Sequence, residues 1–300
     1  TTATLSWSDV SDDDISYFVV ECKQSDGVWK SVSRTSTNLG VNLSGLTPEH
    51  DYVYRVIGYD KRSNRGTPSE EITVTTLKDT ICPKVTKITP DPGYFKSEIN
   101  LRFTAEDDYR VKSIEIQTST DKESWKTVSE IKATGESAKC TFDCKLDLKN
   151  YEEGSVFVRA KVYDSYGNVT EDKDLTCYEY VVDRTAPIQP TGVTASSGET
   201  EGGSSFVNIS WNAITDDNSF AYYRVYKSNS ADGEFTLLKN NVKTVNTYDE
   251  NVDFSATYYY KVEAVDLAGN VGKQSEVVSC KVKDDTEKPV IYDLSPVDGT

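Results

Sequence analysis

At 300 residues the chain is too long for one ordinary β-sandwich and suits two or three domains of roughly 100–150 residues each. Its formal charge of -16 and pI near 4.6 exclude nucleic acid as a partner, because binding a phosphate backbone takes clustered Lys and Arg to displace counterions. No apolar run approaches the roughly 18–20 residues that span a bilayer, so no membrane insertion is expected within this sequence, and any leader or anchor is expected outside it.

Tyr, Thr, Val and Ser are abundant, Met is absent, and Gly and Asn punctuate short apolar runs, which is strand-and-turn usage and predicts an all-β fold. In chain order, Leu5-Ser-Trp7 and Phe18-Val-Val20 read as strands, and Leu46-Thr-Pro48 reads as a turn leading into Tyr52-Val-Tyr-Arg-Val-Ile-Gly-Tyr-Asp60. That last period-two run returns as Val156-Phe-Val-Arg-Ala-Lys-Val-Tyr-Asp164 and as Tyr258-Tyr-Tyr-Lys-Val-Glu-Ala-Val-Asp266. Each Asp is followed four residues later by Asn64, Asn168 or Asn270, a turn in which the carboxylate can accept backbone N–H groups ahead of it. The first two aspartates are 104 residues apart and the next two 102, the length of one immunoglobulin-type sandwich.

The junctions repeat too, as Asp79-Thr-Ile-Cys-Pro83, Asp183-Arg-Thr-Ala-Pro187 and Asp285-Thr-Glu-Lys-Pro289. Proline fixes φ and holds the residue before it extended, which predicts short, stiff links. The boundaries expected from these repeats are 1–79 for a first domain lacking its first strand, 80–184 for a second, 185–284 for a third and 285–300 for the start of a fourth. Modules one and three share one pattern, including Ile209-Ser-Trp211 and Tyr223-Arg-Val225, and they resemble fibronectin type III domains. Module two, with Ile99-Asn-Leu-Arg-Phe-Thr-Ala105 and Val111, is similar to bacterial immunoglobulin-like domains. The resemblance implies a tandem array of antiparallel β-sandwiches, secreted or at the cell surface, of the kind used in bacterial adhesins, wall-associated YD-repeat proteins and multidomain glycoside hydrolases. It also implies structural roles for Trp7 and Trp211 and a tyrosine corner at Tyr52 and Tyr258, which Val156 lacks.

Chemistry-bearing residues are few. The six cysteines form no CxxC pair and there is a single histidine, His50, so a thiolate or imidazole zinc site is not expected. Strand parity reads most of the cysteines as inward free thiols, with a disulfide from Cys177 to Cys140 or Cys144, or one reaching Cys82, as the alternative. Ser119-x-x-Lys122 and Ser129-x-x-Lys132 open no helix, and no nucleophile, base and oxyanion set converges; no enzyme activity is expected. No cofactor is implied, and calcium is the one ion the acidic loops could begin to hold, through Asp12, Asp13, Asp14, Asp216 and Asp217 and, in the middle module, Glu106-Asp107-Asp108, with the junction aspartates Asp79 and Asp285 as weaker candidates. Outward tyrosines Tyr59, Tyr163, Tyr226 and Tyr259 are candidates for stacking on sugars or partner proteins. Trp29, Trp125 and Phe235 recur at corresponding positions, which predicts a shared packing role. The function expected is a non-catalytic spacer or adhesion array whose partners are other domains of the same parent chain. Surface glycans or proteins are the partners of the alternative, a binding module; an accessory region of a secreted hydrolase or YD-repeat toxin is the third reading.

Overall fold

The computed structural model describes residues 2–8, 13–36, 38–215 and 217–284. The junction Asp285–Pro289 and the fourth domain expected at 285–300 therefore lie outside the described residues, as do Asp12 and Asp216. The chain forms two compact units, the first comprising Thr1–Asp91, Ile99–Leu146 and Phe157–Glu179, the second Pro92–Glu98, Asp147–Val156 and Tyr180–Thr300.

The strands β1 (Thr2–Ser6), β2 (Ile15–Lys23), β3 (Trp29–Thr35), β4 (Gly40–Ser44), β5 (Asp51–Asp60) and β6 (Ile72–Thr75) follow the period-two runs of the sequence. In the first unit they form two antiparallel sheets, β1-β4 and β3-β2-β5-β6. Alternation decides the faces: Phe18, Val20 and Cys22 of β2 are buried and their neighbours less so. Leu5 and Leu43 from one sheet meet Val20, Cys22 and Tyr54 from the other in a shared core, with Trp7 and Tyr52 packed against its edge. Two sheets whose inner faces interdigitate make a β-sandwich.

Next come β7 (Lys84–Thr89), β8 (Tyr94–Phe95), β9 (Glu98–Ser119), β10 (Lys126–Asp147), β11 (Gly154–Asp164) and β12 (Tyr178–Val182). In the first unit β9 carries β7 along its first half, in antiparallel register from Lys84 opposite Glu106 to Thr89 opposite Arg102, and β11 along its second, from Phe157 opposite Ser119 to Asp164 opposite Val111. A bulge between Tyr163 and Asp164 ends that ladder and turns Asp164 inward, where it is 1% exposed. In the second unit β12 runs parallel to β8.

The second unit continues with β13 (Thr194–Glu199), β14 (Ser205–Ser210), β15 (Phe220–Ser228), β16 (Thr236–Val242), β17 (Asn246–Asp249), β18 (Thr257–Asp266) and β19 (Val278–Lys281). Its sheets β13-β14-β17 and β16-β15-β18-β19 repeat the first unit's pattern with one strand more. The core is of the same kind, built from Val207, Ile209, Trp211, Tyr223, Val225, Tyr260, Val262 and their neighbours. Among the described residues no helix is long and apolar enough to cross a membrane.

Two tyrosine corners close the connections before β5 and β18. The Tyr52 hydroxyl accepts the Thr47 N–H at 2.8 Å, and the Tyr258 hydroxyl accepts the Asp253 N–H at 3.0 Å. Val156 is fully buried and has no hydroxyl to offer. All six cysteines are free, with Cys22, Cys144 and Cys280 buried, Cys82 and Cys140 half-buried and Cys177 exposed, so the disulfide alternative is not formed.

The repeat also sets a contrast between Tyr54 and Tyr260, both fully buried. Tyr260 donates to Asp249 at 2.8 Å, whereas the Tyr54 hydroxyl has no partner among the described residues. Burial pushes the Tyr54 hydroxyl up to about 12, so it stays neutral. Tyr258→Phe is expected to lower unfolding stability by about 1–2 kcal/mol, because the Asp253 N–H loses its acceptor, while Tyr54→Phe should be neutral or slightly stabilising. Urea unfolding of the whole chain measures both; equal losses for the two variants would contradict this assignment.

Candidate functional site

The repeated Asp-to-Asn turns are built alike. The Asp164 N–H donates to the Asn168 carbonyl at 3.1 Å, Asp164 Oδ1 accepts the Tyr166 and Asn168 N–H groups at 2.8 Å each, and Oδ2 accepts Asn168 Nδ2–H at 2.6 Å. Asp266 and Asn270 repeat this with bonds of 3.1, 2.7 and 2.7 Å, and Asp60 with Asn64 repeats it at an exposed hairpin. An antiparallel bridge seals each turn: Tyr59 with Arg65, Tyr163 with Val169, Val265 with Val271.

The asparagine amide then reaches the preceding junction. Asn168 Nδ2 donates to the Asp79 carbonyl at 3.2 Å in the first unit, and Asn270 Nδ2 to the carbonyls of Asp183 and Thr185 at 3.1 and 3.3 Å in the second. Gly272 admits the Pro187 carbonyl beside this second turn, because a Cβ there would lie 2.4 Å from that oxygen. The turn that closes a hairpin therefore also holds the chain that enters the module.

In the first unit this turn brings three carboxylates together. Asp79 lies between β6 and β7, Asp107 in β9 and Asp164 at the end of β11, and one oxygen of each lies within 4.8 Å of the others. Asp79 is 4% exposed. Its Oδ1 accepts the Ile81 N–H at 3.0 Å, and Asp107 Oδ2 accepts the Tyr109 and Arg110 N–H groups at 3.1 and 3.0 Å. The other oxygens, Asp79 Oδ2 and Asp107 Oδ1, are buried with no hydrogen-bond donor among the described residues. Burial first, then the neighbouring carboxylates, raises both acids above the usual range: Asp108 and Asp164 act on Asp79, Asp79 and Asp108 on Asp107. A mainly acidic cleft of about 550 Å³, whose lining includes Lys84 beside Glu106, Asp107, Asp108, Glu171 and Asp174, adjoins it.

Of the acids singled out by sequence, Asp79 and Asp107 enter this cluster, whereas Asp13, Asp14, Asp217 and the outward tyrosines fall elsewhere. Asp13 and Asp14 sit in an exposed turn, and Asp217 Oδ1 accepts the Ser219 N–H at 2.7 Å while its Oδ2 is buried without a donor among the described residues. The four outward tyrosines are all half-buried. Tyr59 stacks on Tyr17 with ring centroids 4.8 Å apart, Tyr163 donates to Glu115 at 2.9 Å and Tyr226 to Glu263 at 2.6 Å. Tyr259 pairs with Ser228, diagonal to Tyr226 on the neighbouring strand. His50 makes a ring contact with Tyr52, Lys122 lies over the Phe157 ring, and the Ser119 hydroxyl donates to Asp121 Oδ1 at 2.8 Å within its own turn. The recurring aromatics share one role: Arg55 covers Trp29 at 4.0 Å, Arg159 covers Trp125 at 3.9 Å and Lys261 covers Phe235 at 4.3 Å. These three cations occupy one position of the repeated strand, a correspondence the sequence already carried.

Residues 1–75 match the fibronectin type III domain family. Over 295 residues the chain is 27% identical to Exoglucanase B of Cellulomonas fimi, an alignment covering 94% of this chain and 24% of that protein. It is 30% identical over 107 residues to Chitinase Chi52 of Paenibacillus xylanexedens, covering 36% of this chain and 18% of that one. The chain thus spans about a quarter or less of the length of these relatives. The solved structure of domains A168-A170 from titin superposes with a TM-score of 0.50 at 14% identity, covering 95% of this chain and 94% of that one, which shows the all-β, tandem-domain fold.

Asn168→Ala removes the donor to the buried Asp164 carboxylate and to the Asp79 carbonyl, and is expected to destabilise the first unit by about 2–3 kcal/mol, read as a shifted urea midpoint. The raised acids carry a pH signature. A folded-state pKa above the unfolded value contributes stability that is fully present below the unfolded pKa, near 4, and lost as pH rises through the raised value. In chelated buffer the melting temperature of Asp107→Asn minus that of the unaltered chain should therefore grow as pH rises from about 4 to 7. A difference that stays constant would contradict the burial of that charge.

Proposed function

We propose that the chain is a non-catalytic extracellular spacer array, supporting a functional domain of a larger secreted or surface protein of the polysaccharide-degrading kind. The observation that carries this reading is repetition: the same turn, the same hold on the preceding junction and the same cation-covered aromatic recur along the chain. The candidate tyrosines Tyr59, Tyr163 and Tyr226 are engaged by their own neighbours. Similarity over nearly the whole chain to about a quarter of an exoglucanase, and over part of it to a chitinase, supports the setting. Its partners are then the other domains of the same parent chain, and adhesion to surface glycans or proteins is a property of those domains.

The test is co-sedimentation of the 300-residue chain with insoluble cellulose and chitin, together with assays for sugar release from both. The spacer reading predicts that the protein stays in the supernatant and releases nothing. Saturable retention that Tyr226→Ala or Tyr259→Ala abolishes would replace it with a carbohydrate-binding module.

A further inference from the structure

We infer that Asp79, Asp107 and Asp164 form a binding site for a hard divalent cation, calcium by size, that fastens the segment between β6 and β7 to β9 and β11 within the first unit. Three carboxylates within 4.8 Å of one another repel, and folding gains nothing from burying them as bare charges. Hydrogen bonds inside the cluster satisfy only part of it. Asp79, 4% exposed, presents Oδ2 with no donor among the described residues, and Asp107 presents Oδ1 in the same state. The nearby amides are already committed, since Ile81, Tyr109, Arg110, Tyr166 and Asn168 N–H groups all go to the opposite or remaining oxygens of these carboxylates. Among the described residues the donors to these three carboxylates are backbone amides and the Asn168 amide, with no Lys or Arg side chain bonded to them.

Geometry selects the cation. Oxygens no more than 4.8 Å apart fit around an ion bonded at about 2.3–2.6 Å, the calcium range, and the irregular arrangement suits its flexible coordination better than the strict octahedron of magnesium at about 2.0–2.1 Å. Water in the adjoining acidic cleft completes the coordination shell. The ligands come from residues 79, 107 and 164, so each ion bonded cross-links three separate stretches of the first unit. With three carboxylates and no dedicated ligand loop, the affinity expected is that of extracellular modules, a Kd of about 0.1–1 mM. The inference does not depend on the spacer role, because binding and melting are read without reference to what the array supports.

The experiment uses the whole chain, stripped with a chelator and desalted, titrated with calcium chloride by calorimetry and melted in its presence. Saturable binding with a Kd of about 0.1–1 mM and a melting temperature raised by about 3–6 °C at ten times Kd are expected. Asp107→Asn keeps a carbonyl oxygen for the Tyr109 and Arg110 N–H groups, so it should fold, melt higher than the unaltered chain without metal, and lose the calcium-induced shift with binding weakened at least tenfold. Asp79→Asn serves the same purpose if the first variant is not obtained. Asp13→Asn should leave the titration unchanged. No melting shift up to 10 mM calcium, undiminished binding by Asp107→Asn, or loss of binding only in Asp13→Asn would overturn the site, and an equal shift with magnesium at the same concentration would overturn calcium as its ion.

Discussion

A buried aspartate satisfied by the turn that follows it is the interaction on which the rest of this architecture rests. Asp164 is 1% exposed and Asp266 2% exposed, and each survives burial because backbone and asparagine N–H groups surround its oxygens. Their position is set by geometry upstream, since Asp164 ends the β9–β11 ladder at a bulge. With the carboxylate pointing inward, its asparagine partner has a free amide hydrogen, and the nearest acceptors are the carbonyls of the incoming junction. Closure of a hairpin and anchoring of the preceding linker are thus one event in each unit.

Around that device the modules are built by ordinary alternation. Inward residues of β2 and β15 meet the inner faces of the opposing sheets, and outward positions are free to carry charge, which accommodates the formal charge of -16. One outward position recurs as Arg55, Arg159 and Lys261, each lying over a recurring aromatic ring, worth about 0.5–1 kcal/mol at an exposed site. An aromatic that recurs at corresponding positions and is covered each time by a cation from the same position of the repeated strand serves packing.

Much of this was legible in the sequence because it is local or periodic. The alternation beginning at Tyr258, the asparagine four residues after each aspartate and the Leu46-Thr-Pro48 turn before Tyr52 all sit within ten residues; the structure realises the turns, and the alternation as far as Val262, beyond which Glu263 to Asp266 are all buried. The carboxylate cluster was not legible in that way. Asp79, Asp107 and Asp164 are spread over 85 residues, and only the pairing of β7 and β11 with β9 brings them together. Runs of acid such as Asp12-Asp13-Asp14 draw the eye in a sequence, yet consecutive strand or turn residues point different ways. The usable signal was the conjunction of a junction aspartate with a turn aspartate in each repeat, and Asp183 with Asp266 shows the same pairing in the second unit.

Hydrogen exchange over the three turns tests the central claim most directly, that Asp-to-Asn closure and the hold on the junction are one structure. Asp164–Asn168 and Asp266–Asn270 are bonded to a preceding junction, whereas Asp60–Asn64 makes the same internal bonds at an exposed hairpin. The account predicts that amides of the two junction-bonded turns exchange much more slowly than those of Arg62 and Asn64, and that Asp79–Pro83 and Asp183–Pro187 are protected along with them. Equal protection in all three turns, or junctions that exchange freely beside protected turns, would contradict it.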